Sequence, residues 1–186
     1  MRYVLCTANK DAKTIDDLKE FAVLPREWVD GVEVELGSKY PQVIPSAILR
    51  NQEGKILVYS RKGSEGRLHG FKSILIGGHV DLTDIAKSVI VSLDKDILNS
   101  VCEGLQRELL EEVNLMSYIQ KEDFKFTIYH PVDEVSSVHL GLVAVIDAET
   151  VTFGDELGNP QWMNIEDINV EELEPWSAYA LEKIKE

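Results

Sequence analysis

Cysteine, long apolar runs and positive charge are all scarce in this chain of 186 residues. The only cysteines are Cys6 and Cys102, and no histidine accompanies them at zinc-site spacing, so we expect two reduced thiols. The longest apolar run, 140–146, is far shorter than the roughly 18 residues that a membrane helix needs. The first residues lack the apolar stretch of a secretory signal peptide, so we expect no membrane insertion and a cytoplasmic location.

The charge balance is strongly negative, with 33 acidic side chains against 19 Lys plus Arg and a net charge of −14. Such a balance argues against a protein that coats DNA or an anionic membrane. It does not exclude a small anionic substrate held by a metal ion or by a local basic pocket. With 44% hydrophobic residues, the chain has enough apolar surface for a packed core, and its length predicts a single domain over 1–186.

Apolar periodicity predicts strands and helices along the whole chain. A short strand is expected over 2–7, followed by a helix that Thr14 caps and Pro25 ends. Two apolar runs separated by 51–54 predict a β-hairpin. The predicted strands are 43–50, 55–61, 73–76, 124–130, 138–146, 151–153 and 161–163. Helices are predicted over 84–98, where the pattern is poor, over 101–113, and over 174–185.

The helix predicted over 101–113 carries a cluster of carboxylates. Glu108, Glu111 and Glu112 are spaced i, i+3 and i+4, so their side chains share one patch of the helix surface. Like charges at this spacing repel, whereas a divalent cation would bind such clustered oxygens. Arg107 lies four residues from both Glu103 and Glu111 and is able to pair with either. An ordinary solvated helix face is the alternative interpretation.

A double glycine precedes this helix by about thirty residues. Gly77 and Gly78 follow the apolar segment 74–76 and lead into His79. Consecutive glycines allow the backbone to approach a ligand closely, although a tight turn explains them equally well.

Together these residues resemble the Nudix hydrolase family, whose pattern is G-x5-E-x7-R-E-U-x-E-E-x-G-U, with U a bulky aliphatic residue. The matching positions are Gly78, Arg107, Glu108, Leu109, Glu111, Glu112 and Leu115, and Glu103 matches an acidic residue that is common four positions before the arginine. The resemblance covers about 42–186 and leaves 1–41 as an N-terminal extension. Within the family, the chain looks most similar to a bacterial subgroup of predicted phosphoesterases that has GGH in place of PGG.

The chain departs from the family pattern at three points. Gly78 and Arg107 are 29 positions apart where the pattern has 14, so we expect an insertion within about 84–102. Counting from Gly78 puts Asp84 at the family's glutamate, one methylene shorter, whereas counting back from Arg107 puts Asn99 there. Asn114 replaces the last glycine, and asparagine also tolerates the left-handed conformation in which many helices end.

The resemblance implies an α+β fold, built as an α/β/α sandwich with a mixed β-sheet. It also implies hydrolysis of a diphosphate linkage in a nucleoside diphosphate-type substrate, with Mg²⁺ or Mn²⁺ as cofactor. Glu108, Glu111 and Glu112 would bind the metal, with the carbonyl of Gly78 as a further ligand. Glu111 and Glu112 would serve catalysis, and Arg107 would orient the cluster.

The resemblance does not decide which residue is the general base. Glu156, in the segment 154–158 before Trp162, is the preferred candidate for this catalytic role, and Glu134 is the second. An acidic residue in an ordinary hairpin turn is the alternative interpretation of Glu156.

The segment between positions 50 and 72 is basic, with six basic residues against two acidic ones. Arg61, Lys62 and Arg67 are therefore candidates for binding the phosphates of a small phosphate-containing substrate, although solubility of a loop also explains them. His79 is a candidate phosphate contact or a buried histidine.

An inactive nucleotide-binding or regulatory module on the same fold is the alternative function. The insertion and Asp84 are the departures that motivate it. The insertion itself has two open roles, as a lid over the site or as a contact in a homodimer.

Overall fold

The computed structural model describes residues 2–7, 26–32, 41–62, 70–86, 97–132 and 136–186. The helix predicted between Thr14 and Pro25 lies outside these residues, as do Arg67, Glu134 and residues 87–96 of the predicted insertion.

The described residues form nine strands and three α-helices that fold as a mixed α+β structure. The strands are β1 (Tyr3–Thr7), β2 (Arg26–Asp30), β3 (Gln42–Arg50), β4 (Ile56–Arg61), β5 (Lys72–Ser73), β6 (Ile76–Gly77), β7 (Phe124–Ile128), β8 (His139–Asp147) and β9 (Leu157–Met163). The helices are α1 (Leu82–Ala86), α2 (Ile97–Val113) and α3 (Pro175–Lys185).

Strand β3 is the centre of the sheet. It pairs in parallel with β8 over nine consecutive positions, whereas its pairings with β1, β4 and β6 are antiparallel. The predicted hairpin is confirmed, since β3 and β4 are antiparallel and Gly54 takes a positive φ of 77° in their turn. The mixed sheet expected from the resemblance is therefore present.

Alternating side chains of β3 and β8 divide the core into two layers. Ala47 and Leu49 pack in the cluster that includes Leu105 and Leu109 of α2. Ile48 packs in the second cluster, with Leu181 of α3. Helices α2 and α3 thus cover opposite faces of the sheet, which is the expected α/β/α sandwich.

Helix α2 is the element predicted over 101–113, with its start four residues earlier. Val101, Leu105, Leu109 and Val113, its predicted apolar stripe, are all fully buried. The helix ends before Asn114, whose φ of 49° is the predicted left-handed conformation.

The segment predicted as one strand over 73–76 is two short strands, β5 and β6. Side chains replace sheet partners between them, because the amide of Ile74 donates to Ser177 Oγ and that of Leu75 to Ser73 Oγ. The Tyr59 hydroxyl donates to the Leu75 carbonyl at 2.6 Å, so this tyrosine belongs to the core.

One other strand prediction was wrong, and one strand was not predicted. Residues 151–153 form no strand, since the amide of Thr152 donates to the Val113 carbonyl at the end of α2. Strand β2 was not predicted, although it pairs with β1 over five positions.

Cys6 and Cys102 are reduced thiols, as predicted, and the structure shows that both are buried. No helix in the described part of the chain is long and apolar enough to span a membrane.

Candidate active site

Arg107 is the centre of the candidate site. Its guanidinium reaches two carboxylates on its own helix, with Nη1 at 2.7 Å from Glu108 Oε1 and at 3.2 Å from Glu111 Oε2. Nη2 donates to the carbonyl of His79, just after the double glycine, at 2.8 Å. One side chain therefore ties the glycine turn to the carboxylate cluster. Arg107 pairs with Glu111, as the spacing allowed, but its partners do not include Glu103.

Asp84 holds Arg107 from the opposite side. Arg107 Nε lies 3.1 Å from Asp84 Oδ1 and Nη2 lies 3.2 Å from Asp84 Oδ2. The Asp84 side chain is only 1% exposed, so this ion pair is shielded from water. Asn99, the other position counted for the family's glutamate, is exposed on α2. The contact with Arg107 thus identifies Asp84 as the equivalent of that glutamate, despite its shorter side chain.

Gly78 lies against the carboxylate of Glu108. A Cβ atom added at Gly78 would stand 2.5 Å from Glu108 Oε1, closer than non-bonded atoms approach. The missing side chain at this position is thus what lets the helix carboxylate and the turn backbone come together. The structure therefore brings together Gly78 and Glu108, two of the predicted metal ligands.

The three glutamates differ in environment. The side chain of Glu111 is 59% exposed, whereas Glu108 and Glu112 are largely buried. Burial raises the pKa of Glu112 to about 7, helped by the neighbouring charges of Glu108, Glu156 and Glu111 and opposed by Arg61. Burial also raises the pKa of Glu108, while Arg107 acts to lower it. A cation at this cluster would relieve the electrostatic cost of ionising both groups.

The donor set suits a hard divalent cation, since carboxylate and carbonyl oxygens are the ligands that Mg²⁺ and Mn²⁺ prefer. Among the described residues, no three His, Cys, Asp or Glu side chains already stand in a metal-binding arrangement. Glu108 and Glu111 instead point at Arg107. A bound cation would compete with the guanidinium for these oxygens. The residues therefore suit a cation by their oxygen donors and by lying close together, although they do not form a preformed binding site.

The loop after residue 150 brings further predicted residues to the end of α2. The amide of Gly154 donates to the Glu112 carbonyl at 2.8 Å, and the amide of Lys62 donates to the Glu156 carbonyl at 3.1 Å. The pKa of Glu112 is lowered by the charge of Arg61 and raised by that of Glu156. Glu156 occupies a turn at the surface, where its side chain is exposed.

His79 does not suit the role of a charged phosphate ligand. Its ring lies edge-on to that of His139, with centroids 5.7 Å apart. Burial, together with the adjacent His139, lowers the pKa of His79 to about 4, so this histidine is neutral at physiological pH. Its carbonyl, through Arg107, is the part of His79 that serves the site.

Sequence reasoning missed these backbone contributions. The carbonyl of His79 and the amide of Asp81, which donates to Asp84 Oδ2 at 2.8 Å, both order the site. No residue type marks a backbone donor or acceptor, so only the resemblance of the 77–79 turn could have indicated them.

Comparisons with known proteins bear on the family and the fold of the chain. The NUDIX domain family model matches residues 41–184. The structure resembles that of Tm1382, described as a Nudix hydrolase, with a TM-score of 0.75, 20% identity and coverage of 99% of this chain and 98% of that one. No curated protein matches the chain significantly in sequence.

Two further solved structures share the fold. The MutT protein of Methanosarcina mazei Go1 gives a TM-score of 0.52 at 17% identity, covering 77% of this chain and 91% of that one. The NUDIX domain of Shewanella oneidensis NrtR, solved with ADP ribose, gives 0.53 at 14% identity, covering 84% and 97%. The family match over most of the chain confirms the resemblance seen in the sequence, and this chain belongs to the Nudix family.

Proposed function

We propose that the protein is a metal-dependent hydrolase that cleaves a diphosphate linkage in a nucleoside diphosphate-type substrate. The observation that carries the proposal is the packing of Glu108 against Gly78 while Arg107 gathers Glu108 and Glu111. Glu112 stands beside them as a buried carboxylate with a raised pKa. An ordinary solvated helix face would not bury two of its acidic groups or tie them to a glycine turn.

The residues that would hold Mg²⁺ or Mn²⁺ are Glu108, Glu111 and Glu112, with the carbonyl of Gly78. A cation bound there would neutralise charge on the diphosphate as it is cleaved. It would also bridge an acidic protein and an anionic substrate, which otherwise repel each other. In this account Arg107 is a positioning residue, because it contacts the carboxylates and not the substrate.

Glu156 is the proposed general base, which takes a proton from the attacking water. Its place in a turn beside Glu112 supports the proposal, since a base must reach the water near the metal ligands. Arg61 is the last residue of β4 and Lys62 follows it, and both are proposed to bind phosphate groups that are not transferred.

The test is a panel of diphosphate compounds incubated with the protein and Mg²⁺ or Mn²⁺. The panel includes ADP-ribose, the ligand of the NrtR domain with the same fold, and also nucleoside diphosphate sugars, dinucleoside polyphosphates, oxidised nucleotides and coenzyme A. We expect nucleoside monophosphate or phosphate release from at least one compound, abolished by EDTA. Release that persists in EDTA would contradict metal dependence.

The alternative function, a binding module without turnover, makes a different prediction on the same panel. It predicts that one compound raises the melting temperature while no compound is cleaved. The departure at Asp84 first suggested it, yet the contact of Asp84 with Arg107 shows that the shorter side chain still reaches its partner.

A further inference from the structure

Strand β1 is held firmly against the segment that follows the double glycine. The amide of Leu5 donates to the Val80 carbonyl at 3.0 Å, and Val4 forms a β-bridge with Asp81. Strand β1 also pairs with β2 over five positions and with β3 at Cys6. Residues 2–7 therefore join the sheet and the site segment, although they precede the region 41–184 that matches the family.

Arg2 adds a side-chain contact to this backbone junction. Its Nε lies 2.8 Å from Asp81 Oδ1, and its carbonyl accepts a hydrogen bond from the amide of Gly31 at 2.7 Å. The backbone of Arg2 is thus fixed by the start of the loop after β2, while its guanidinium holds the side chain of Asp81.

Asp81 in turn contacts the machinery of the proposed site. Its amide donates to Asp84 Oδ2 at 2.8 Å, and the Asp84 carboxylate makes two contacts with Arg107. Arg107 then reaches Glu108 at 2.7 Å. The contacts that lead from Arg2 through Asp81, Asp84 and Arg107 to Glu108 are each 3.2 Å or shorter. The first strand and the carboxylate cluster are therefore connected by direct polar contacts.

We propose that Arg2 is a positioning residue of the site: by fixing Asp81, it orders the Asp84–Arg107 pair that places Glu108 and Glu111 for cation binding. The cation-binding part of this inference rests on the proposed function. It adds to that function a residue from outside the family-matched region.

The Arg2–Asp81 pair is suited to positioning and contributes little to stability. The two side chains are 56% and 23% exposed, and surface ion pairs of this kind contribute little to the free energy of unfolding. Replacing Arg2 should therefore leave the fold intact. The chain offers a matched control in Arg50, whose Nε lies 2.7 Å from Asp147 Oδ1 in an exposed pair on the hairpin side of the sheet.

The experiment measures Mn²⁺ binding by electron paramagnetic resonance, without substrate, in Arg2→Ala, Asp81→Asn, the double variant and Arg50→Ala. Substitution of residues that orient metal ligands typically costs 10- to 100-fold in affinity. Arg2 acts on Glu108 through Asp81, Asp84 and Arg107, so we expect binding only about three- to tenfold weaker in Arg2→Ala. The same loss is expected in Asp81→Asn and in the double variant, because both residues serve one contact. Arg50→Ala should bind like the wild type.

Two results would overturn the proposal. The first is wild-type Mn²⁺ binding in Arg2→Ala. The second is opposite shifts in Arg2→Ala and Asp81→Asn, since these would show that only the summed charge near the site matters.

Amide hydrogen exchange at Asp81 provides a readout that needs neither metal nor turnover. We expect exchange about two- to fivefold faster in Arg2→Ala than in Arg50→Ala, because the bond to Asp84 opens more often when a surface ion pair that restrains it is lost. Unchanged exchange would contradict the proposal even if the wild type bound no Mn²⁺. A wild type that binds Mn²⁺ but cleaves no compound would refute the proposed hydrolase and leave the positioning role of Arg2 standing.

Discussion

Asp84 and Arg107 are 23 positions apart in the chain and meet through two contacts of 3.1 and 3.2 Å. Asp84 lies on the short helix α1 and Arg107 on α2, so the segment between them separates two parts of one sequence pattern. The contact therefore brings together the two positions that the family pattern fills with a glutamate and an arginine, although the insertion separates them in this sequence. It also explains how an aspartate serves where the family has a glutamate, since α1 itself carries the carboxylate to the guanidinium.

Replacing Asp84 with Asn should weaken both the fold and cation binding. The change removes the charge that faces a partly buried guanidinium, so we expect a loss of about 1–3 kcal/mol in the free energy of unfolding. Metal affinity should fall about 10- to 100-fold, as for other groups that orient ligands. Urea unfolding and Mn²⁺ titration measure the two effects. Asn99→Ala, at the rejected position, should match the wild type in both.

A methyl group at Gly78 should damage the site more than the fold. In Gly78→Ala the new Cβ would meet Glu108 Oε1 at 2.5 Å, and the flexible carboxylate would have to move away. We expect a melting temperature close to that of the wild type and turnover at least about tenfold lower, since displaced metal ligands cost at least this much.

The same substitution in a Glu108→Ala background isolates the cause of the Gly78→Ala effect. Because the clashing carboxylate is then absent, the double variant should match Glu108→Ala in both turnover and Mn²⁺ affinity. A further loss in the double variant would show that Gly78 is needed for another reason.

The pKa of Glu112 predicts a stability difference that depends on pH. Its folded-state value of about 7 lies above its ordinary 4.5, so the neutral group is favoured in the fold and stability is lost as pH rises through 7. Glu112→Gln removes this penalty and should stabilise the metal-free protein by about 3 kcal/mol at pH 8. Near pH 4.5 the two proteins should be equally stable. Denaturation in EDTA at both pH values measures the effect, and a difference independent of pH would contradict it.

The sequence predicted the elements with strong periodicity and failed where side chains replace sheet partners. The stripe through Leu105 and Leu109 placed α2 correctly, because residues four positions apart share one buried face in an α-helix and not in a β-strand with its period of two. The segment around Ile74 looked like one strand, yet Ser177, about a hundred positions away, takes the amide that a neighbouring strand would have bound. The sequence around a strand does not show that a side chain far along the chain will take the place of a strand partner.

For the candidate site, too, some residues could be predicted from the sequence and others needed the structure. Spacing brought the three glutamates and Arg107 together, because they lie on one helix. The choice between Asp84 and Asn99 needed the structure, since counting from either end of an interrupted pattern is equally valid. Glu156 was predicted to approach the cluster, and the amide of Gly154 on the Glu112 carbonyl is the contact that fixes its loop there.

The proposed role of Glu156 has a built-in control in the adjacent Asp155, which is exposed in the same turn. If Glu156 accepts the proton of the attacking water, Glu156→Gln should lower kcat by about 100-fold or more with little change in KM. Asp155→Asn should retain wild-type kcat, because its carboxylate is not needed for the reaction. Equal kcat values in the two variants would assign the base elsewhere.

The most direct test of the account is the Mg²⁺ dependence of hydrolysis in Glu112→Gln and Glu103→Gln, measured beside the wild type on the best compound of the panel. Both glutamates lie on α2, but only Glu112 belongs to the proposed cluster. The account predicts that EDTA stops the wild type and Glu103→Gln, that Mg²⁺ restores both, and that Glu112→Gln stays at least about 100-fold slower at saturating Mg²⁺. Wild-type turnover by Glu112→Gln would contradict the assignment of this cluster as the active site.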